Sequence, residues 1–314
     1  MVNLSRTALR GFAGVAAAAF LAGSALPNAS AAGTVGTADP VIPALQQPTV
    51  AAITLPAEAP PPGTGLTTKS SATNVVQYNR IYKSPPITPS KCREVNVSLR
   101  TAAGVQAYAS KLWTCLYAAW AVPLKAGGFA YKVKPKLVVH TSSSVATYCG
   151  TVANPTGLYC SARGGTIYIP ASQIIAQWKQ NPTMARAWLS QMVGHEYGHH
   201  IQNMTGIMAA SYQRRYAFST NAAKLEESRR LELQASCFSA AYLGADKRYY
   251  PMSGGLMTAF NYLVTHMGDQ PGHARDHGAP KNHAFWSTMG FNAKHTYTVA
   301  GNCNTYRASS AYVA

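Results

Sequence analysis

Residues 181–206 read NPTMARAWLSQMVGHEYGHHIQNMTG, and the fold turns on how this stretch coils. Asn181 is a residue type that caps helix N-termini. Pro182 suits a first helical position, where its missing N–H would have no partner anyway. A helix is therefore expected from Asn181-Pro182 to about Gly206. On it His195 and His199 are four residues apart, so they project from one face about a turn apart. Two imidazoles at that spacing can bind one zinc ion. Glu196 lies beside them, where a carboxylate can take a proton from water. Trp188 and Met192, on the same helix, are read as core.

Working outward, residues 136–141 read as a strand through Leu137-Val138-Val139, and residues 164–169 as a second through Thr166-Ile167-Tyr168-Ile169. Tyr168 is a candidate for lining an edge strand that receives an extended peptide. Upstream, Val105, Tyr108, Leu112, Cys115, Leu116 and Ala119 recur at helical spacing, with Pro123 as a stop signal. Downstream, helices are expected over residues 222–243 and 255–267. Strands followed by helices without regular alternation indicate an α+β domain.

A catalytic zinc needs a third protein ligand and an open position. Glu232 shares a helical face with Ser228, Ala235, Ser236 and Ser239, small residues that permit close packing on a partner helix. Glu226 and Glu227 compete for this assignment. They stand near the helix start, where acidic residues favour the dipole, and can pair with Arg229 or Arg230. His277, in Asp276-His277-Gly278, is the remaining candidate for chemistry, as a donor that stabilises an oxyanion opposite the metal.

The 314-residue chain carries 27 Lys and Arg against 10 Asp and Glu, a net charge of +17. That excess draws the protein toward anionic surfaces such as wall polymer, but no nucleic-acid fold signature accompanies it, so no specific nucleic-acid partner is expected. So few carboxylates leave little to build a multi-carboxylate calcium cage beside a catalytic site. Residues 1–31 read as an export signal: Arg6 and Arg10, an apolar stretch over 11–26, then Ala29-Ser30-Ala31. Residues 32–89, rich in Ala, Thr, Pro and Gly, read as a flexible linker or pro-segment. Residues 90–314 are expected to form the folded zinc metallopeptidase-like domain. No further apolar run reaches spanning length, so the mature protein is expected to be secreted, without a membrane span. Six cysteines in an exported chain suggest three disulfides. Fifteen pairings are open; proximity favours Cys149–Cys160, which would leave Cys92–Cys115 and Cys237–Cys303.

Several motifs in order along the chain resemble those of the bacterial neutral zinc metallopeptidases. They are Tyr159-Cys160, IYI at 167–169, HEYGHHIQ at 195–202, RLELQASCFSA at 230–240, DHG at 276–278 and CNTY at 303–306. The resemblance covers about Cys92 to the C-terminus. It implies a zincin-like domain with a small sheet and an active-site helix, zinc held by His195, His199 and Glu232, and Glu196 as general base. Two positions depart from the family pattern: Ser236 stands where an aspartate is usual, and His283 where an arginine is usual. The expected function is hydrolysis of peptide bonds in peptide or protein substrates. The alternative is a catalytically weak or inactive zincin-fold protein that binds anionic cell-surface polymer.

Overall fold

Thr101, Asn181 and Thr220 each turn a side-chain oxygen onto the backbone N–H three residues on, at 3.2, 3.0 and 3.3 Å, and the three longest helices start there. The computed structural model describes residues 15–18, 69–250, 252–272, 274–293 and 299–314. In chain order the principal elements begin with β1 (Val15–Ala18), α1 (Lys69–Gln77) and α2 (Ala102–Ala126). Five short strands follow: β2 (Lys136–His140), β3 (Ser144–Thr147), β4 (Gly150–Ala153), β5 (Gly157–Cys160) and β6 (Thr166–Pro170). Then come α3 (Ala171–Gln180), α4 (Pro182–Met204), α5 (Ile207–Ala217), α6 (Asn221–Asp246), α7 (Gly254–His266) and α8 (Pro280–Phe291). Five of the six described strands cluster between α2 and α3 without alternating with helices, which fits an α+β zincin-like domain.

The main sheet has the order β1-β5-β6-β2. β1 and β6 both run antiparallel to β5, while β2 runs parallel to β6. β3 and β4 form a separate hairpin. Tyr168 therefore does not lie on an edge. It pairs with Leu158 on one side and Val138 on the other, and all of β6 is buried. The continuous apolar run Ile167-Tyr168-Ile169 is the pattern of a strand covered on both faces.

Helix α4 lies at the centre. It packs against α2, α3, α6, α7 and β5, and every residue from Ala187 to Gln202 is buried. A helix buried all round is normally apolar all round. This one carries Ser190, Gln191, His195, Glu196, His199, His200 and Gln202 inward, so their polar atoms need partners within the protein. Two expectations need correction. The second helix does not stop at Pro123 but continues to Ala126. Pro123 sits buried in its last turn, and its carbonyl accepts from Gly127 N–H at 3.0 Å. Packing of Pro123 and Leu124 into the core offsets the hydrogen bond that proline cannot make. The second correction concerns residues 69–89, which belong to the fold and not to a linker. Ala72 and Val76 present one face of α1 toward α5, and Ile81 and Ile87 follow them into the core. Of the remaining N-terminal stretch, only residues 15–18 are described; the rest of the expected signal and linker lies outside the described residues.

The three disulfides are Cys92–Cys115, Cys149–Cys160 and Cys237–Cys303, and they include the Cys149–Cys160 pair that proximity favoured. No helix among the described residues is long and apolar enough to cross a membrane.

Candidate metal centre

Two helices supply the centre, and glycines let them approach. A Cβ on Gly198 of α4 would lie 2.7 Å from the Ala235 carbonyl oxygen of α6 and 2.9 Å from its Cα. One turn earlier, a Cβ on Gly194 would collide with Ser239. With the backbones this close, Glu232 reaches the histidine pair. His195 Nε2 and His199 Nε2 are 3.0 Å apart, and Glu232 Oε2 stands 3.2 Å from each. All three residues are buried, and their ligand atoms lie within 4.8 Å of one another. Two imidazoles and one carboxylate are the donor set of a catalytic zinc site. The competing acids are occupied elsewhere: Glu226 pairs with Arg230 at 2.7 Å and Glu227 with Arg214 at 2.9 Å.

The rear nitrogens of both imidazoles are tied down. His199 Nδ1 meets Gln202 Oε1 at 2.8 Å, and Gln202 Nε2 donates to the Leu231 carbonyl at 2.8 Å. That donation fixes the amide orientation, so His199 must donate from Nδ1 and leave Nε2 unprotonated for a metal. His195 Nδ1 meets Ser236 Oγ at 2.9 Å. Burial pushes the His195 imidazole down to about 4, and this outweighs the pull of the Glu232 carboxylate, so the ring is neutral, as a ligand must be. Burial alone would raise the Glu232 carboxyl. The surrounding imidazoles, with the charged His277 among them, outweigh it and hold the group well below the usual carboxylate range.

Glu196 differs in kind. It is fully buried, and neither carboxylate oxygen has a hydrogen-bond partner among the described residues. Burial, then the Glu232 charge, pushes its carboxyl well above the ordinary range. A Cβ on Gly157 of β5 would lie 2.6 Å from Glu196 Oε1, so this strand passes close over the carboxylate and walls the cleft. The unpartnered carboxylate beside a His-His-Glu cluster is the arrangement that a metal and its water would complete, so the residues fit zinc.

His277 lies on the connection between α7 and α8, with Nε2 at 3.6 Å from Glu232 Oε2. Its backbone N–H donates to Asp269 Oδ1 at 2.8 Å, and its Nδ1 donates to Asp276 Oδ1 at 2.6 Å. Burial alone would lower its pKa. The Asp276 and Glu232 charges reverse that and bring it up to about 10, which favours an imidazolium whose Nε2–H lies toward Glu232.

The structure thus brings His195, Glu196, His199, Glu232 and His277 to one place. Gln202 was quoted only as part of a motif; its signal was its position three residues after His199, one turn along the same face. Gly157 had no signal, because its function is to admit a group that is distant in sequence. His283, six residues beyond His277, does not face the cleft: its Nε2 meets Ser236 Oγ at 3.1 Å, behind His195. The two positions that depart from the family pattern therefore touch each other.

No curated protein and no solved structure matches the chain. A family model described as "Putative neutral zinc metallopeptidase" does match, over residues 90–306. That span includes every residue of the centre, from Gly157 at its wall to His283 behind it. The donor set and the match agree, and the chain belongs to the neutral zinc metallopeptidase family.

Proposed function

We propose that the protein is a secreted, zinc-dependent peptidase that hydrolyses peptide bonds in peptide or protein substrates. The observation that carries this reading is Glu196: a buried carboxylate with both oxygens unpartnered among the described residues, beside the converging His195, His199 and Glu232. Zinc held by those three side chains supplies a Lewis acid that ionises water near neutral pH and polarises a carbonyl. Glu196 takes the proton from the attacking water and returns it to the leaving amine, and its raised proton affinity suits an acceptor working near neutral pH. His277, kept charged by Asp276, donates a hydrogen bond to the oxyanion that forms on the substrate carbonyl. Secretion is supported by the N-terminal signal pattern and by three disulfides.

Glu196→Gln tests this reading. The amide matches the carboxylate in shape but cannot accept the water's proton. Zinc content and fold should be retained while cleavage of a broad peptide library falls by at least about 100-fold. A zinc-loaded wild type no more active than Glu196→Gln would end the peptidase reading. Binding of anionic wall polymer, driven by the +17 charge, would then become the leading function.

A further inference from the structure

Behind His195 lies a chain of three hydrogen bonds, and each polar atom in it has only one way to point. His283 Nδ1 stands 3.0 Å from the Val264 carbonyl oxygen. A carbonyl only accepts, so the proton of the neutral ring is on Nδ1 and Nε2 carries a lone pair. Burial supports neutrality, pushing His283 down to about 4. Ser236 Oγ is 3.1 Å from that Nε2, so the serine hydroxyl spends its single proton there. The same oxygen is 2.9 Å from His195 Nδ1, and with its proton committed it can only accept. His195 is thereby left with its proton on Nδ1 and its lone pair on Nε2, facing His199 and Glu232.

We propose that Ser236 and His283 are positioning residues of the metal centre, forming a polarised relay that selects the metal-binding tautomer of His195. The relay rests on the reading of His195 as a ligand. It does without charge: a hydroxyl anchored by a neutral imidazole gives His195 Nδ1 a directed acceptor. All three side chains are buried, so water does not compete for these bonds. Donation runs one way, from His195 through Ser236 and His283 to the Val264 carbonyl. Removing His283 therefore disorders a ring that it does not touch: without its acceptor, the Ser236 hydroxyl is free to donate to His195 Nδ1 and stabilise the wrong tautomer.

Two measurements on the full chain test this. In metal-free protein, two-bond proton–nitrogen correlation spectra read the tautomer of His195 directly. The Nδ1–H form is expected in the wild type and in His283→Gln, whose amide oxygen can still accept from Ser236. Ser236→Ala and His283→Phe should lose that preference. In zinc competition against a chromophoric chelator, Ser236→Ala and His283→Phe should each weaken binding about 10–100-fold. The double variant should lose little more than either single one, because both break one chain. His283→Gln should bind close to wild type, which separates the relay from mere filling of space. An Nε2–H tautomer of His195 in the metal-free wild type would overturn the proposal, as would unchanged zinc affinity in Ser236→Ala. A wild type that binds no zinc would defeat the metal reading instead, while the tautomer measurement still decides the relay.

Discussion

Gly198→Ala sets two physical effects against each other. In a helix interior the substitution alone should stabilise by about 1 kcal/mol, since alanine loses less backbone entropy than glycine. The structure reverses that expectation. The new methyl would stand 2.7 Å from the Ala235 carbonyl oxygen, about 0.7 Å short of the 3.4 Å at which ordinary contact begins, and the obstacle is backbone. Helices α4 and α6 must separate to admit it. The metal-free protein can relax this way, but zinc tolerates ligand displacements of only about 0.2 Å, so binding pulls the helices back against the methyl. If the overpacking cost of about 1–3 kcal/mol falls mainly on the metal-bound state, the zinc dissociation constant rises about 5–150-fold. Chelator competition measures that change, and thermal unfolding with and without chelator shows that it is confined to the loaded form. Gly255→Ala is the control: it is exposed, and its Cβ would meet only Thr183 at an ordinary 3.6 Å. A Gly198→Ala protein that binds zinc as tightly as wild type, and is more stable, would refute the idea that helix spacing sets the metal geometry.

Acid should unfold the protein earlier than its carboxylates alone require. His200 and His283 are buried with pKa values near 4, below the ordinary 6.5, so the unfolded chain binds more protons between those limits. Their contribution is fully present above pH 6.5 and lost as pH falls toward 4, roughly 3 kcal/mol for each; denaturant titrations with flat stability from pH 7 to 4.5 would contradict it. Replacing Cys237 and Cys303 together by alanine opens a loop of 66 residues and should cost about 4 kcal/mol. Because Cys237 is five residues from Glu232 on α6, zinc affinity should fall with it, and chelator competition on the variant checks this. Limited proteolysis should leave a core that begins near residue 69 and not near residue 90, because α1 is packed against α5; terminal sequencing of the trimmed product decides.

Local chemistry made the centre of the fold legible. The Asn181-Pro182 start, the i,i+4 histidines and the apolar runs of β2 and β6 are signals written within a few residues. Glu232 was readable because its small-residue face implied a close partner helix, and Gly194 and Gly198 are that partner's half of the contact. Elements without a period of their own escaped. β5 is four residues long and buried throughout, so Gly157-Leu158-Tyr159-Cys160 shows no alternation. α1 sits next to a segment dominated by proline and alanine, and composition averaged over that segment masked the Ala72, Val76 and Ile81 face. The contact between Ser236 and His283 spans 47 residues. Read singly, each position looked like a loss; only tertiary structure shows that they form one unit.

The three disulfides also bear on which metal chemistry the chain offers before it is mature. All six cysteines are paired, so the folded protein presents no thiol. A newly made, reduced chain instead presents six sulfur donors, and thiolate is a softer and stronger zinc ligand than carboxylate. One of them, Cys237, stands on the helix that carries Glu232, a turn and a half away. In that state zinc would be drawn to sulfur and the segments would be clamped in the wrong arrangement. Paired as disulfides, the cysteines offer no thiolate to compete with His195, His199 and Glu232 for a metal.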